Sequence, residues 1–298
     1  MKRCAPLAIV ASLFASVVAA QAQPITIKLK ERGEGETALI KKNATTTSKV
    51  MVADGQGNVV VDQKQLVTEL TEYKETVFKR DAGKAPTKLQ REYTKARTGK
   101  DSPLQDTDLQ GKTVVIERKG DKYVFTYKDG EPVEGDAAAA LTKDFSKKSD
   151  ANSEIEKMVL PGKAVSAGDS WKIDMTKIVT ELAKQGEMEL DSAKSKGEGK
   201  LVKSYKKNGA LFGEMQFKMD MPIQTIGKGQ KAMKFNDGAK ITIDMTFNVC
   251  IDGTSEAGTL KMKMVMAGTA TVPAAPGAVA TMEVRMEGTQ EQADVAKK

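Results

Sequence analysis

The sequence has no histidine, and its 298 residues include only two cysteines and one tryptophan. Without an imidazole there is no Ser-His-Asp or Cys-His nucleophile system and no histidine general base. Nor is there a His-ligated zinc, copper or haem. Cys4 lies in the segment read below as a signal peptide, so the mature chain keeps one thiol, Cys250. One thiol cannot close an internal disulfide, and stability must come from burial and hydrogen bonding. Cys250 has no activating residue near it in sequence and is read as structural. Aromatics are scarce at 5%. No apolar run beyond residue 22 is long enough to span a bilayer.

Residues 1–22 have the layout of a secretory signal peptide. Lys2 and Arg3 supply the charged start. An apolar stretch from Ala5 to Ala20 includes Leu7, Ile9, Val10, Leu13 and Phe14. Ala20-Gln21-Ala22 gives the small-x-small cleavage pattern. The expected location is periplasmic or secreted. Cleavage after Ala22 removes Lys2 and Arg3 and takes the formal charge from +7 to +5. That is too mild a charge, with so few aromatics, to suggest nucleic acid.

The strongest pattern is period-2 alternation over the last hundred residues. Ile241, Ile243, Met245, Phe247, Val249 and Ile251 alternate with polar residues. So do Leu211, Met215, Phe217, Met219 and Met221, then Leu260, Met262, Met264 and Met266, then Ala280, Met282, Val284 and Met286. This is the mark of strands with one buried and one wet face. Asn208-Gly209, the 252–258 segment and the 273–277 segment join them as antiparallel neighbours. Strands of about a dozen residues, roughly 40 Å at ~3.4 Å each, must twist and coil. The expected fold is mainly β with some α: a long curved antiparallel meander, half-barrel or barrel-like, with about two packed helices.

The N-terminal half repeats this less cleanly. Ile25, Ile27 and Leu29 suggest a first strand, and 37–54 a Thr-rich extended segment ending at the turn Asp54-Gly55-Gln56-Gly57-Asn58. Residues 66–80 fit either a helical stripe or the first arm of a hairpin entering 87–93, and the hairpin is preferred. Val114 and Ile116 pair with Tyr123, Phe125 and Tyr127 around a turn at 119–122. Helices are expected from Asp136, as an Asp cap, to about Lys147, and from about Thr176 to Gln185, stopping at Gly186. The chain divides at residue 160 into a β-rich N-terminal part, 23–160, and a long-stranded C-terminal meander, 161–298, which also fit a single continuous domain.

Pro161, Val165, Gly168, Asp169 and Trp171 form a Pro-x3-Val-x2-Gly-Asp-x-Trp element. It resembles one found in exported bacterial β-sheet proteins of uncharacterised function. The stretches 73–77 and 91–96 are similar to upstream parts of the same families. The resemblance implies an envelope or secreted location and carries no catalytic residues. Trp171 is read as packing its loop onto the sheet. The architecture, though no motif, is similar to the periplasmic lipoprotein-carrier half-barrels.

No catalytic motif is intact. Gly111-Lys112-Thr113 lacks the upstream glycine of a phosphate loop and enters a strand. Ser204 and Lys207 have Ser-x-x-Lys spacing, but on a strand, where positions three apart face opposite ways. The loop at Asp54 lacks the terminal glutamate of an EF-hand. No metal set and no cofactor is expected, and the protein is read as a non-enzyme. The distinctive feature is methionine. Met215, Met219, Met221, Met245, Met262, Met264, Met266, Met282 and Met286, with Phe217 and Phe247, fall on one strand face. Thioethers there fill a core, offer an adaptable surface to an apolar ligand such as an acyl chain, or bind Cu(I). The leading expectation is an exported carrier or binder of a lipid or other hydrophobic small molecule. The alternatives are a structural or protein-interaction component of the envelope, with an envelope protein as partner, and a carboxylate-based hydrolase.

Overall fold

A computed structural model describes residues 23–81, 84–120, 122–145, 158–185, 188–227, 232–275 and 278–296. The signal-peptide region, the end of the first predicted helix beyond residue 145 and the Gly186 stop lie outside these residues. The elements in chain order are β1 (Thr37–Ala53), β2 (Val59–Arg80), β3 (Pro86–Lys100), β4 (Gln105–Asp106), β5 (Thr113–Lys119), β6 (Lys122–Tyr127) and α1 (Gly135–Asp144). They continue with β7 (Ser170–Lys172), α2 (Met175–Gln185), β8 (Met188–Leu190), β9 (Lys196–Lys207), β10 (Ala210–Ile226), β11 (Met233–Lys234), β12 (Lys240–Cys250), β13 (Gly258–Ala275) and β14 (Ala278–Ala296).

The strands form one large curved antiparallel sheet in the order β6-β5-β3-β2-β1-β14-β13-β12-β10-β9-β7. The sheet does not close into a barrel. Each half is a meander, as the short turns require. The two meanders meet where β1, the first strand, pairs along its length with β14, the last. Main-chain hydrogen bonds therefore run continuously through both halves of the chain. Residues 66–80 are extended within the β2–β3 hairpin. Asn208 and Gly209, both at positive φ, make the two-residue turn between β9 and β10. Asp54 accepts the N–H groups of Gln56 and Asn58, each at 2.9 Å, which fixes the β1–β2 loop as an Asx-stabilised turn.

Four expectations change in detail. Ile25, Ile27 and Leu29 form no strand. Residues 23–36 instead run as a strap across one end of the sheet, held by isolated bridges from Ile25 to Val165 and from Lys28 to Asp252. The strap then docks on β2, where Gly35 N–H donates to Val77 O at 2.8 Å. The strand over 260–266 extends through Pro273, which lies opposite Val279. The first helix is capped at Glu134 with no side-chain hydrogen bond, and Asp136 sits inside its first turn. The division at residue 160 does not separate the cores, because Ile25, Ile27 and Val159 pack into the C-terminal one.

Two apolar clusters lie on the same inner face of the sheet. The N-terminal cluster joins Tyr73, Leu89, Val114 and Ile116 to Ala137 and Leu141 of α1. The C-terminal cluster joins Trp171, Leu201, Phe217 and Met221 to Ile178 and Val179 of α2. Asp174, just ahead of α2, presents Oδ1 to the Lys177 N–H at 3.4 Å, a helix start signal that the sequence reading did not single out. An open sheet risks edge-to-edge association. Here the outer side of β6 is partly covered by its own chain: Tyr127 N–H donates to Glu131 O at 2.7 Å, and Val133 N–H to Phe125 O at 3.0 Å.

Candidate functional site: the inner face of the sheet

Register places the methionines in rows across neighbouring strands. Phe217, Met245, Met262, Gln290, Ala44 and Glu69 stand side by side from β10 to β2. The next row is Met219, Ile243, Met264, Gly288, Thr46 and Val67, and the next Met221, Ile241, Met266, Met286, Ser48 and Gln65. The first row passes from thioether and aromatic groups to amide and carboxylate, and the third from thioether and aliphatic groups to hydroxyl and amide, whereas the second ends on Val67 beyond Thr46. All eleven predicted face residues do share one side of the sheet.

Their environments differ. Met215, Phe217, Met219 and Met221 are between 1% and 4% exposed. They are sealed beneath α2 and Trp171, so in this arrangement they are core. Met266 is also buried. Met245, Phe247, Met264 and Met286 are half-buried at the rim of that core. Met262 and Met282 are half-buried as well.

The five residues of the Pro-Val-Gly-Asp-Trp element form the loop that seals this core. Pro161 opens it. Val165 is buried and bridges to Ile25 of the strap. Gly168 adopts φ +98°, and its N–H donates to Leu201 O at 2.6 Å. Asp169 Oδ2 accepts the Ser166 N–H at 2.8 Å. Trp171 lies over Gly199 and meets Phe217 edge-on at 5.9 Å. Its Nε1 donates to Val159 O at 2.8 Å.

At the strap end, the same inner face carries an ionic cluster that alternation alone does not announce. Glu75 of β2 receives Arg32 Nη1 on one oxygen at 2.6 Å and Arg91 Nε on the other at 2.8 Å. Arg91 also donates to Asp144 Oδ2 at 2.9 Å, and Arg32 Nε to Glu256 Oε2 at 2.7 Å. The Arg91 guanidinium lies 4.3 Å from the Tyr73 ring centroid and 4.5 Å from that of Phe145. Burial alone would raise the Glu75 carboxyl, but the two guanidiniums hold it below the usual glutamate value. Asp294 and Glu256 shift the other way, raised chiefly by burial. Burial pushes the Tyr73 phenol far up, so it stays protonated.

Both Glu75 oxygens are committed to arginines, which gives this carboxylate a structural occupation. Cys250 is buried, and its Sγ donates to Asp252 Oδ1 at 3.0 Å. Gly111-Lys112-Thr113 leads into β5, and Ser204 and Lys207 lie on β9. Among the described residues no group of three or more His, Cys, Asp or Glu side chains converges to hold a metal. No helix there is long and apolar enough to cross a membrane. A cleft on the opposite face, lined by Lys30, Tyr205, Phe212 and Asn248 among others, has none of the stripe methionines in its lining. No family model matches the chain, and no curated protein does.

Proposed function

We propose that this is an exported, non-catalytic protein that holds an apolar or amphipathic small molecule on the half-open part of its inner face. The observation that carries this reading is the continuation of the methionine stripe beyond the sealed core. Met245, Met262, Met264, Met282 and Met286 stay half-buried, where unbranched thioethers adapt to varied apolar shapes. The gradient along the first and third rows supports an amphipathic ligand. Its apolar part would lie on β12 and β13, and its polar end would meet Gln290, Gln292 and Thr46. The leader-like residues 1–22 support export.

Mass spectrometry of a solvent extract of the purified protein should reveal a co-purifying apolar compound. A fluorescent fatty acid should bind and be displaced by it. Met262→Glu should weaken that binding about tenfold or more, since it places a charge in the apolar contact. Lys218→Glu, on the wet face, should leave it unchanged. Empty extracts together with no fatty-acid binding would overturn the reading.

A further inference from the structure

We infer that the free edge of β2 pairs antiparallel with the same edge of a second copy of this chain, with Gln63 on the two-fold axis. β2 outruns its neighbour. Pairing with β3 begins at Val67, opposite Lys100. Asp101 then closes the junction: its N–H donates to Leu66 O at 2.8 Å, and its Oδ1 accepts the Leu66 N–H at 2.7 Å. From Val59 to Gln65, β2 pairs with β1 alone among the described strands. Because both main-chain groups of Leu66 point outward, those of Lys64 and Asp62 do too, at two-residue intervals. Among the described residues these donors and acceptors have no main-chain partner, on a strand whose Val59 and Val60 are 55% and 61% exposed.

The side chains choose the partner and the register. Even-numbered residues must meet even-numbered ones if outward groups are to bond outward groups. Placing Asp62 on the axis opposes two aspartates, and placing Lys64 there opposes two lysines. With Gln63 on the axis, Asp62 faces the second copy's Lys64, and Lys64 its Asp62. By the same register Val61 faces Gln65, and the pairing stops there, because Asp101 and Lys100 occupy the edge beside Leu66 and Val67. Two opposite-charge pairs thus flank the axis, a cross-strand combination that stabilises antiparallel edges.

Within one chain Lys64 stands directly opposite Lys49 of β1, a like-charge pairing that disfavours the edge as it is. Asp62 reaches Lys49 only at 3.8 Å. A second copy's Asp62 would set a carboxylate beside Lys64. A lone edge lysine normally deters pairing, but an aspartate two residues before it makes the edge self-complementary.

Such a short edge predicts weak, reversible dimerisation in the micromolar range, visible by sedimentation velocity over a concentration series. Asp62→Lys should raise the dissociation constant about tenfold or more, because it sets lysine against lysine twice. The double variant Asp62→Lys/Lys64→Asp restores opposite charges in the same register and should restore the dimer. In a Cys4→Ser chain, Gln63→Cys should form an intermolecular disulfide under mild oxidation, since residues on the axis are a closely spaced, non-hydrogen-bonded pair. Lys64→Cys should not. A wild-type chain that stays monomeric throughout the series overturns the proposal, as does a charge swap that fails to rescue a dimer lost in Asp62→Lys.

Discussion

Replacing Arg91 by methionine should lower the unfolding free energy by about 3–5 kcal/mol, read as a fall in urea midpoint at unchanged slope. The guanidinium is 8% exposed, and Glu75 beside it 11%. Methionine would fill much of the space between Tyr73 and Phe145 but would leave Glu75 with Arg32 alone and Asp144 without its guanidinium. Removing one partner of a buried pair costs far more than the pair contributes, because the other charge stays desolvated. The comparison that separates pairing from packing is Arg91→Met with Glu75→Leu. Taking out both charges should recover a large part of the loss. A single variant less than about 1 kcal/mol below wild type would show that the cluster behaves like an exposed pair.

The cluster also sets two opposing pH dependences. Glu75 is held low in the folded state, so its contribution is full above the unfolded glutamate pKa. It is lost as pH falls through the lower folded value. Asp294 and Glu256 are raised by burial. Their ionised forms oppose folding above their folded pKa, and that penalty disappears as they protonate on acidification. Asp294→Asn should therefore raise stability at neutral pH and leave it almost unchanged in acid. Urea midpoints at neutral and acidic pH test this, and equal shifts at both would contradict it.

Much of the architecture is legible in the sequence because strands with one wet face write their register directly as alternation. The same signal places all eleven methionine and phenylalanine positions on one face. It cannot distinguish Met219, sealed by α2, from Met262, which is half-open, since each stands between two charged residues in the same alternation. What decides between them is where a helix lands, and that is a long-range fact. The ionic cluster left a subtler trace. Glu75 interrupts Tyr73 and Val77, and Arg91 interrupts Leu89 and Tyr93. An opposite charge thus sits at an inward position on each arm of one hairpin, and the pairing of Glu75 with Arg91 could have been drawn from that. Arg32 and Glu256 could not, because they arrive on the strap and on a turn, where no period applies. The strap reads as a strand in the sequence because Ile25 and Ile27 alternate like one, but they satisfy that pattern by packing into a core formed by residues far along the chain.

Gly199→Ala should destabilise the protein by roughly 1–3 kcal/mol, although alanine is usually better than glycine in a strand by about 0.5–1 kcal/mol. Gly199 lies directly opposite Trp171 in the β7–β9 pair and opposite Phe217 in the β9–β10 pair. The indole crosses the missing side chain to reach Phe217. A Cβ there would stand 2.4 Å from Trp171 Cε2. The ring cannot easily retreat, because Nε1 is tied to Val159 O and the opposite edge rests on Phe217. Trp171→Ala alone should cost about 3–5 kcal/mol, since it empties the centre of the C-terminal core. In the Trp171→Ala background the clash is gone, so Gly199→Ala should become neutral or slightly stabilising. The double-mutant cycle should then show a coupling of more than about 1 kcal/mol. Urea unfolding followed by far-UV circular dichroism gives all four corners of the cycle without relying on the chain's one tryptophan as the reporter. If the two substitutions add independently, Gly199 is not the seat of the indole, and the burial of Trp171 must be explained by its hydrogen bond and Phe217 alone.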